Sequence, residues 1–156
     1  METKKKDLDR IIEIERNKEN SKYVFSWSKE RHLEAINSSS EIHITIKLKE
    51  DDLIVGYVLL NNIGGADESI EFRRIAIDKK GKGYGRESIK LIKKLAFEKE
   101  KCHRLWLDVY DDNHRGLALY LSEGFNIEGV LRESKKGKNG YRSLIVLSIL
   151  EHEYKM

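Results

Sequence analysis

Three glycines at alternate positions, Gly81, Gly83 and Gly85, mark the point where the hydrophobic period of this chain changes from two to about 3.6. Before them, residues 69–78 alternate as a strand. After them, Ile89, Ile92 and Ala96, with Leu91 and Leu95, form a helical stripe to about residue 100. A strand passing directly into a helix commits the chain to an α/β crossover. Glycine also lets the backbone adopt dihedrals closed to other residues and approach a ligand closely. The free N–H groups of the first helical turn, and the helix dipole, favour an anion at that point. Lys80, Lys82 and Arg86 add positive charge around it. Two readings fit: a phosphate or pyrophosphate site, and a tight turn with solvated lysines. Spacing removes two phosphate motifs. A G-x-G-x-x-G fingerprint fails because Arg86 and Ser88 stand where its third glycine would fall, and no G-x-x-x-x-G-K-[ST] loop occurs.

The rest of the chain surrounds this junction with short elements. Leu8, Ile11, Ile12 and Ile14 predict an amphipathic helix over 7–19, and Ser28 can cap a second over 29–38. Ile42, Ile44, Ile46 and Leu48 alternate as a strand, Asp51-Asp52 makes a turn, and 53–63 reads as its partner before Gly64-Gly65 breaks the chain. Leu105, Leu107 and Val109 predict a strand over 104–110, and Leu117, Tyr120 and Leu121 a helix over 114–123 closed by Gly124. Two strands, about 125–135 and 141–152, flank the hairpin pair Asn139-Gly140. The fold class is α/β: a mixed, mostly antiparallel twisted sheet flanked by helices, in one domain over 1–156.

Composition narrows the function classes. Charged residues reach 37 % but the net charge is only +3, with Lys and Glu interleaved, which argues against a nucleic-acid partner. One cysteine, Cys102, excludes an internal disulfide, and the five histidines show no metal-ligand spacing, so no metal is expected. No apolar run is long enough to span a bilayer, and Met1 to Asp7 has no signal-peptide core. A cytoplasmic protein with no membrane partner is expected.

Four ordered segments now carry a resemblance. They are Glu71-Phe72-Arg73-Arg74-Ile75-Ala76-Ile77-Asp78, the glycine loop from Lys80, Asn113 through Tyr120 with Glu123-Gly124-Phe125, and the tail Glu128-Gly129, Arg132 and Gly140-Tyr141-Arg142. Together they resemble the GNAT superfamily of acyl-CoA-dependent N-acetyltransferases, in the branch of ribosomal-protein alanine and spermidine acetyltransferases. Lys80 stands at the first position of the family's [QR]-x-x-G-x-[GA] motif, and Gly116 where alanine is usual in its N-x-x-A-x-x-L-Y motif. Members commonly begin with a strand, for which Met1 to Lys6 is too short and too charged.

The resemblance implies acetyl-CoA as donor and direct transfer to a primary amine, either a protein N-terminus or a small amine such as a polyamine. It places Arg74, Ile75, Ala76 and Ile77 along the pantetheine, with a free N–H near Ile75 or Ala76 for the thioester oxygen. Lys80, Gly81, Lys82, Gly83, Tyr84, Gly85 and Arg86 surround the pyrophosphate, and Asn113 contacts the cofactor or caps its helix. Tyr120 matches the family's proton donor, though its apolar spacing also fits a core aromatic. Glu71 matches a glutamate that acts through water, and by alternation it shares a face with Arg73, Ile75 and Ile77; a surface ion pair with Arg73 fits equally. Trp27 and Phe25 line an acceptor pocket or pack the second helix, and Lys135, Lys136 and Lys138 read as a solvated hairpin tip that disfavours a polyamine. A homodimer is compatible with this reading. The alternative is an acyl-CoA-binding regulatory module without turnover.

Overall fold

A computed structural model describes residues 1–156. Its elements are α1 (Leu8–Arg16), α2 (Lys29–Asn37), β1 (Glu41–Lys47), β2 (Ile54–Asn61), β3 (Ser69–Ile77), α3 (Tyr84–Lys94), β4 (Arg104–Tyr110), α4 (His114–Ser122), β5 (Asn126–Gly137), β6 (Gly140–Leu150) and α5 (Glu151–Tyr154). The six strands form one sheet in the order β1-β2-β3-β4-β6-β5. Only the β3–β4 contact is parallel, so the sheet is mixed and mostly antiparallel, as expected.

Each face of the sheet buries a different stripe. Leu8, Ile11 and Ile14 of α1 lie against Tyr57 and Ala76, with Leu33 and Ile36 of α2 beside them. Burying each of those three side chains contributes on the order of 1.5–3 kcal/mol. On the other face, Ile89 and Ile92 of α3, with Ala96 and Phe97 of the π-turn that continues it, pack on Val58, Leu60, Phe72, Leu105 and Leu107.

Three local expectations change. The first helix ends at Arg16 rather than 19, because Asn17 leaves the helical region and its side-chain oxygen accepts the Asn20 N–H at 2.8 Å. Strand β6 stops at Leu150, whose N–H donates to the Glu153 carboxylate at 2.8 Å and opens α5. The N-terminus does reach the sheet edge: Glu2 bridges Ile44, and Thr3 donates its N–H to His43 O at 3.0 Å. The lysines turn away into a 3-10 turn, Lys5–Asp7, and Thr3 is buried.

Candidate active site

Strands β3 and β4 pair only through Ser69–Arg104, Ile70–Leu105 and Glu71–Trp106, and then separate. Beyond that point β4 stays paired with β6 as far as Tyr110, so the β3 edge is left open along the wedge. The wedge belongs to a cleft of about 1200 Å³. Asp78 donates to Val55 O at 2.7 Å, and the alternation of an antiparallel ladder then turns the Ile77 and Ile75 amides away from β2, into the gap. The Ala76 amide faces β2, and its side chain is buried in the α1 cluster. Of the two donors that the sequence offered, Ile75 alone has its N–H in the wedge.

The α3–α4 side of the cleft presents main-chain donors. Gly81 and Gly83 have φ of 81° and 82°, a region that glycine occupies without penalty, and Gly83 caps α3. The first backbone bond into the helix is Glu87 N–H to Gly83 O at 3.1 Å, so the amides of Tyr84, Gly85 and Arg86 remain free. Lys80 lines the cleft, but its ammonium donates to Asn20 Oδ1 at 2.9 Å, and Asn20 in turn bonds Ile14 O and Ile77 O at 3.0 Å each. Burial pushes the Lys80 pKa down, opposed by Glu19 and assisted by Arg115. The Arg86 guanidinium pairs with Glu123, which also holds Lys93 at 3.2 Å. Lys82 points to solvent outside the cleft lining, whereas Arg115 lies within it, close to Gly81. Asn113 caps α4 by accepting the Gly116 N–H at 3.0 Å, and also lines the cleft.

Tyr120 packs edge-on against Phe72 and Phe125, at centroid distances of 6.1 and 5.9 Å. Its ring packs on the core, as its apolar spacing predicts, and it also lines the cleft. Burial raises its pKa, with Asp108 adding to the effect, and no hydrogen bond opposes the rise. The phenol stays protonated at neutral pH.

The α1–α2 side carries the charges. A bulge between Leu59 and Leu60 leaves Arg73 without a partner residue in the ladder and reverses the strand's phase. Glu71 therefore shares a face with Arg74 and Ala76, not with Arg73, Ile75 and Ile77 as simple alternation predicts. Asn61 donates to the Glu71 carboxylate at 3.2 Å. Asp108 of β4 lies on the cleft beside it. Burial and the neighbouring Glu71 raise the Asp108 pKa, while Lys135 and Arg73 pull it down. Sequence reading passed over Asp108 because a polar residue at an alternating strand position looks like ordinary solvent exposure.

Arg74 is a different case. Its guanidinium donates to Glu15 Oε1 at 3.0 Å and lies 4.2 Å from the Trp27 ring centroid, with Arg31 at 4.1 Å from the same ring. Glu15 is fully buried and also receives the Tyr57 hydroxyl and, at 3.1 Å, the Trp27 N–H. Trp27 and the exposed Phe25 both line the cleft. Arg142, outside the lining, braces three cleft residues: it donates to Lys22 O at 3.1 Å and Asp112 Oδ1 at 3.0 Å, over the Tyr110 ring. Lys135, expected at a solvated tip, instead lines the cleft. No group of three or more His, Cys, Asp or Glu side chains is arranged to hold a metal ion.

The model of the acetyltransferase (GNAT) family matches residues 8–125. The chain belongs to that family. This GNAT acyltransferase is 29 % identical over 119 residues to the probable N-acetyltransferase YjcK of Bacillus subtilis, across 75 % of this chain and 66 % of that protein. It is 25 % identical over 158 residues to the spermidine N(1)-acetyltransferase of Escherichia coli, across 96 % of this chain and 84 % of that one. The spermidine N-acetyltransferase of Vibrio cholerae, solved with CoA and spermine, superposes with a TM-score of 0.90 at 24 % identity, covering 100 % of this chain and 96 % of that one. That last likeness shows the GNAT fold. No helix of this chain is long and apolar enough to cross a membrane.

Proposed function

We propose that this protein transfers an acetyl group from acetyl-CoA directly to a primary amine, with the donor on the α3–α4 side of the wedge and the acceptor on the α1–α2 side. The single observation that carries this is the open β3 edge, with the Ile75 amide and Tyr120 on one cleft. The residues fit the donor: the free amides of Tyr84, Gly85 and Arg86 suit a pyrophosphate, and the unpaired edge at Ile75 and Ile77 suits an amide-bearing arm.

Each chain residue then has a task. Gly81, Gly83 and the α3 amides hold the pyrophosphate, with Lys80 and Arg115 supplying positive charge. Asn113 fixes the start of α4 beside them. The Ile75 N–H donates to the oxygen on which negative charge develops as the amine attacks, an oxyanion-hole arrangement. Tyr120 gives its proton to the departing thiolate. Glu71, with Asp108, accepts the proton that the attacking amine loses, through water. Arg74 holds the cleft wall through Glu15 and Trp27. A protonated Tyr120 beside the open edge is what an enzyme needs and a binding module does not.

The chain acts as a single domain in the cytoplasm in this reading. The exposed pair Ile127 and Val130 on the outer strand, each about half exposed, is the surface of a homodimer. Sedimentation that stays monomeric at all concentrations would remove the dimer.

Thiol release from acetyl-CoA, measured against N-terminal peptides, polyamines and other small amines, tests the activity. Release with at least one amine is expected, together with a thermal shift by CoA. Absence of any shift would defeat the donor site, and a shift without release from any amine would defeat the transfer reaction.

A further inference from the structure

We propose that the acceptor carries an anionic group a few bonds from its reacting amine, as an amino acid does, and that Arg73 and Lys135 recognise that anion. The inference rests on the acetyltransferase reading and names its substrate class.

Two bulges create the arrangement. The irregularity opposite Leu59 and Leu60 makes Arg73 the extra residue of β3, and a second, between Leu131 and Lys135, displaces β5 against β6. Bulges commonly re-aim a side chain next to a site, and both of these residues line the cleft. Three of the six other lysines and arginines of the cleft are engaged, and Lys22 sits beside Arg142, which donates to its carbonyl. Arg74 pairs with Glu15, Arg86 with Glu123, and Lys80 donates to Asn20. Lys79 and Arg115 lie by the glycine loop, at the donor end. Arg73 and Lys135 take part in no ion pair and no side-chain hydrogen bond, although both are close enough to Asp108 to pull its pKa down.

The carboxylates of the same region are Glu71 and Asp108. Asp112 is held by Arg142, and Glu19 lies near Lys80. Two carboxylates and two cations that lack ion-pair partners therefore face one wedge. Glu71 and Asp108 suit the ammonium that arrives, and Arg73 and Lys135 suit an anion beside it. Arg73 also lies 5.9 Å from the Trp27 ring centroid, which places it at the acceptor wall. A polycation would meet Arg73 and Lys135 as like charges, and repulsive elements of this kind are how sites reject close analogues.

A matched series tests this: ω-aminoalkyl acceptors of two to five methylenes ending in carboxylate, methyl or ammonium, with closely similar reacting amines. The carboxylate member is expected to show kcat/KM at least about tenfold above the methyl and ammonium members, the scale of one charge-assisted hydrogen bond. Arg73→Gln and Lys135→Gln are expected to bring that ratio towards one, and the thermal shift by CoA reports that each variant is folded. Thiol release that favours the ammonium or methyl member overturns this inference and leaves the acetyltransferase reading standing. A preference that survives both substitutions overturns the assignment to Arg73 and Lys135. No release from any amine overturns the parent reading and this one with it.

Discussion

At the scale of single residues, Tyr120 and Glu15 mark the two ways this chain uses buried polar groups. Tyr120 is held protonated by its surroundings, so Tyr120→Phe removes the proton and little else, the ring contacts with Phe72 and Phe125 remaining. We expect kcat to fall by roughly 10²–10⁴ with the Kd for CoA unchanged. Steady-state kinetics with CoA calorimetry checks this, and undiminished turnover would take Tyr120 out of the mechanism. Glu15 is structural. Burial alone would raise its pKa, but the His32 imidazole and the Tyr57 hydroxyl hold it below its ordinary value. Glu15→Gln leaves Arg74 charged, with a side chain only 11 % exposed and no counter-charge. A loss of about 3–5 kcal/mol follows from breaking such a pair. Urea denaturation measures it, and a loss under 1 kcal/mol would mean that Arg74 finds another partner.

At the scale of elements, the α3 start depends on backbone geometry that only glycine meets cheaply. A Cβ at Gly83 would touch nothing within 4 Å, so the cost of Gly83→Ala comes from its φ of 82° alone. About 1–2 kcal/mol is expected, with weaker CoA binding as the free amides are displaced. Gly129→Ala, where the space is open and φ is ordinary, serves as the neutral control. Equal stability of the two variants would contradict the assignment. The order and type of the main elements were legible in the sequence, because period-two strands and the 3.6-residue stripe of α3 are local signals. The glycine loop, Tyr120 and Asn113 were legible for the same reason, each sitting in a contiguous motif. What escaped depends on register. The bulge at Arg73 changes which face Glu71 occupies, and no local pattern announces an extra residue in one strand. Asp108 and Lys135 reach the cleft through the splay of β3 from β4 and the irregular β5, which are properties of pairing between distant segments. The short α5 and the bridge at Glu2 arise from a single cap and a single backbone pairing, below what periodicity resolves.

At the scale of the whole molecule, α1, α2 and the N-terminal residues are tied to the sheet by one buried polar chain. Thr45 donates to Thr3 at 2.8 Å, Thr3 meets His43 Nδ1 at 2.8 Å, and His43 Nε2 meets His32 Nδ1 at 2.9 Å. His32 Nε2 then lies 3.1 Å from Glu15 Oε1, off the axis of a hydrogen bond and with no other partner. Burial, and after it the neighbouring His32, lowers the His43 pKa to about 4. An unfolded histidine titrates near 6.5, so below that pH the unfolded chain takes up a proton that the folded chain refuses. The stability contributed by a neutral His43 is therefore full above about pH 6.5 and declines as the pH falls towards 4. The loss is roughly 2 kcal/mol by pH 5 and on the order of 3 kcal/mol by pH 4. Glu15 adds to the same acid limb lower down. Its depressed carboxyl stabilises the fold above the ordinary glutamate pKa near 4.3, and that contribution is lost as the pH falls through its folded value. Urea midpoints measured from pH 7.5 to 3.5 are expected to drop steadily below 6.5. His43→Asn keeps a neutral hydrogen-bonding side chain without a titrating ring, so its profile flattens between pH 5 and 6.5 while the lower limb from Glu15 remains. A wild-type midpoint that does not move across that window would show that His43 accepts its proton in the folded chain.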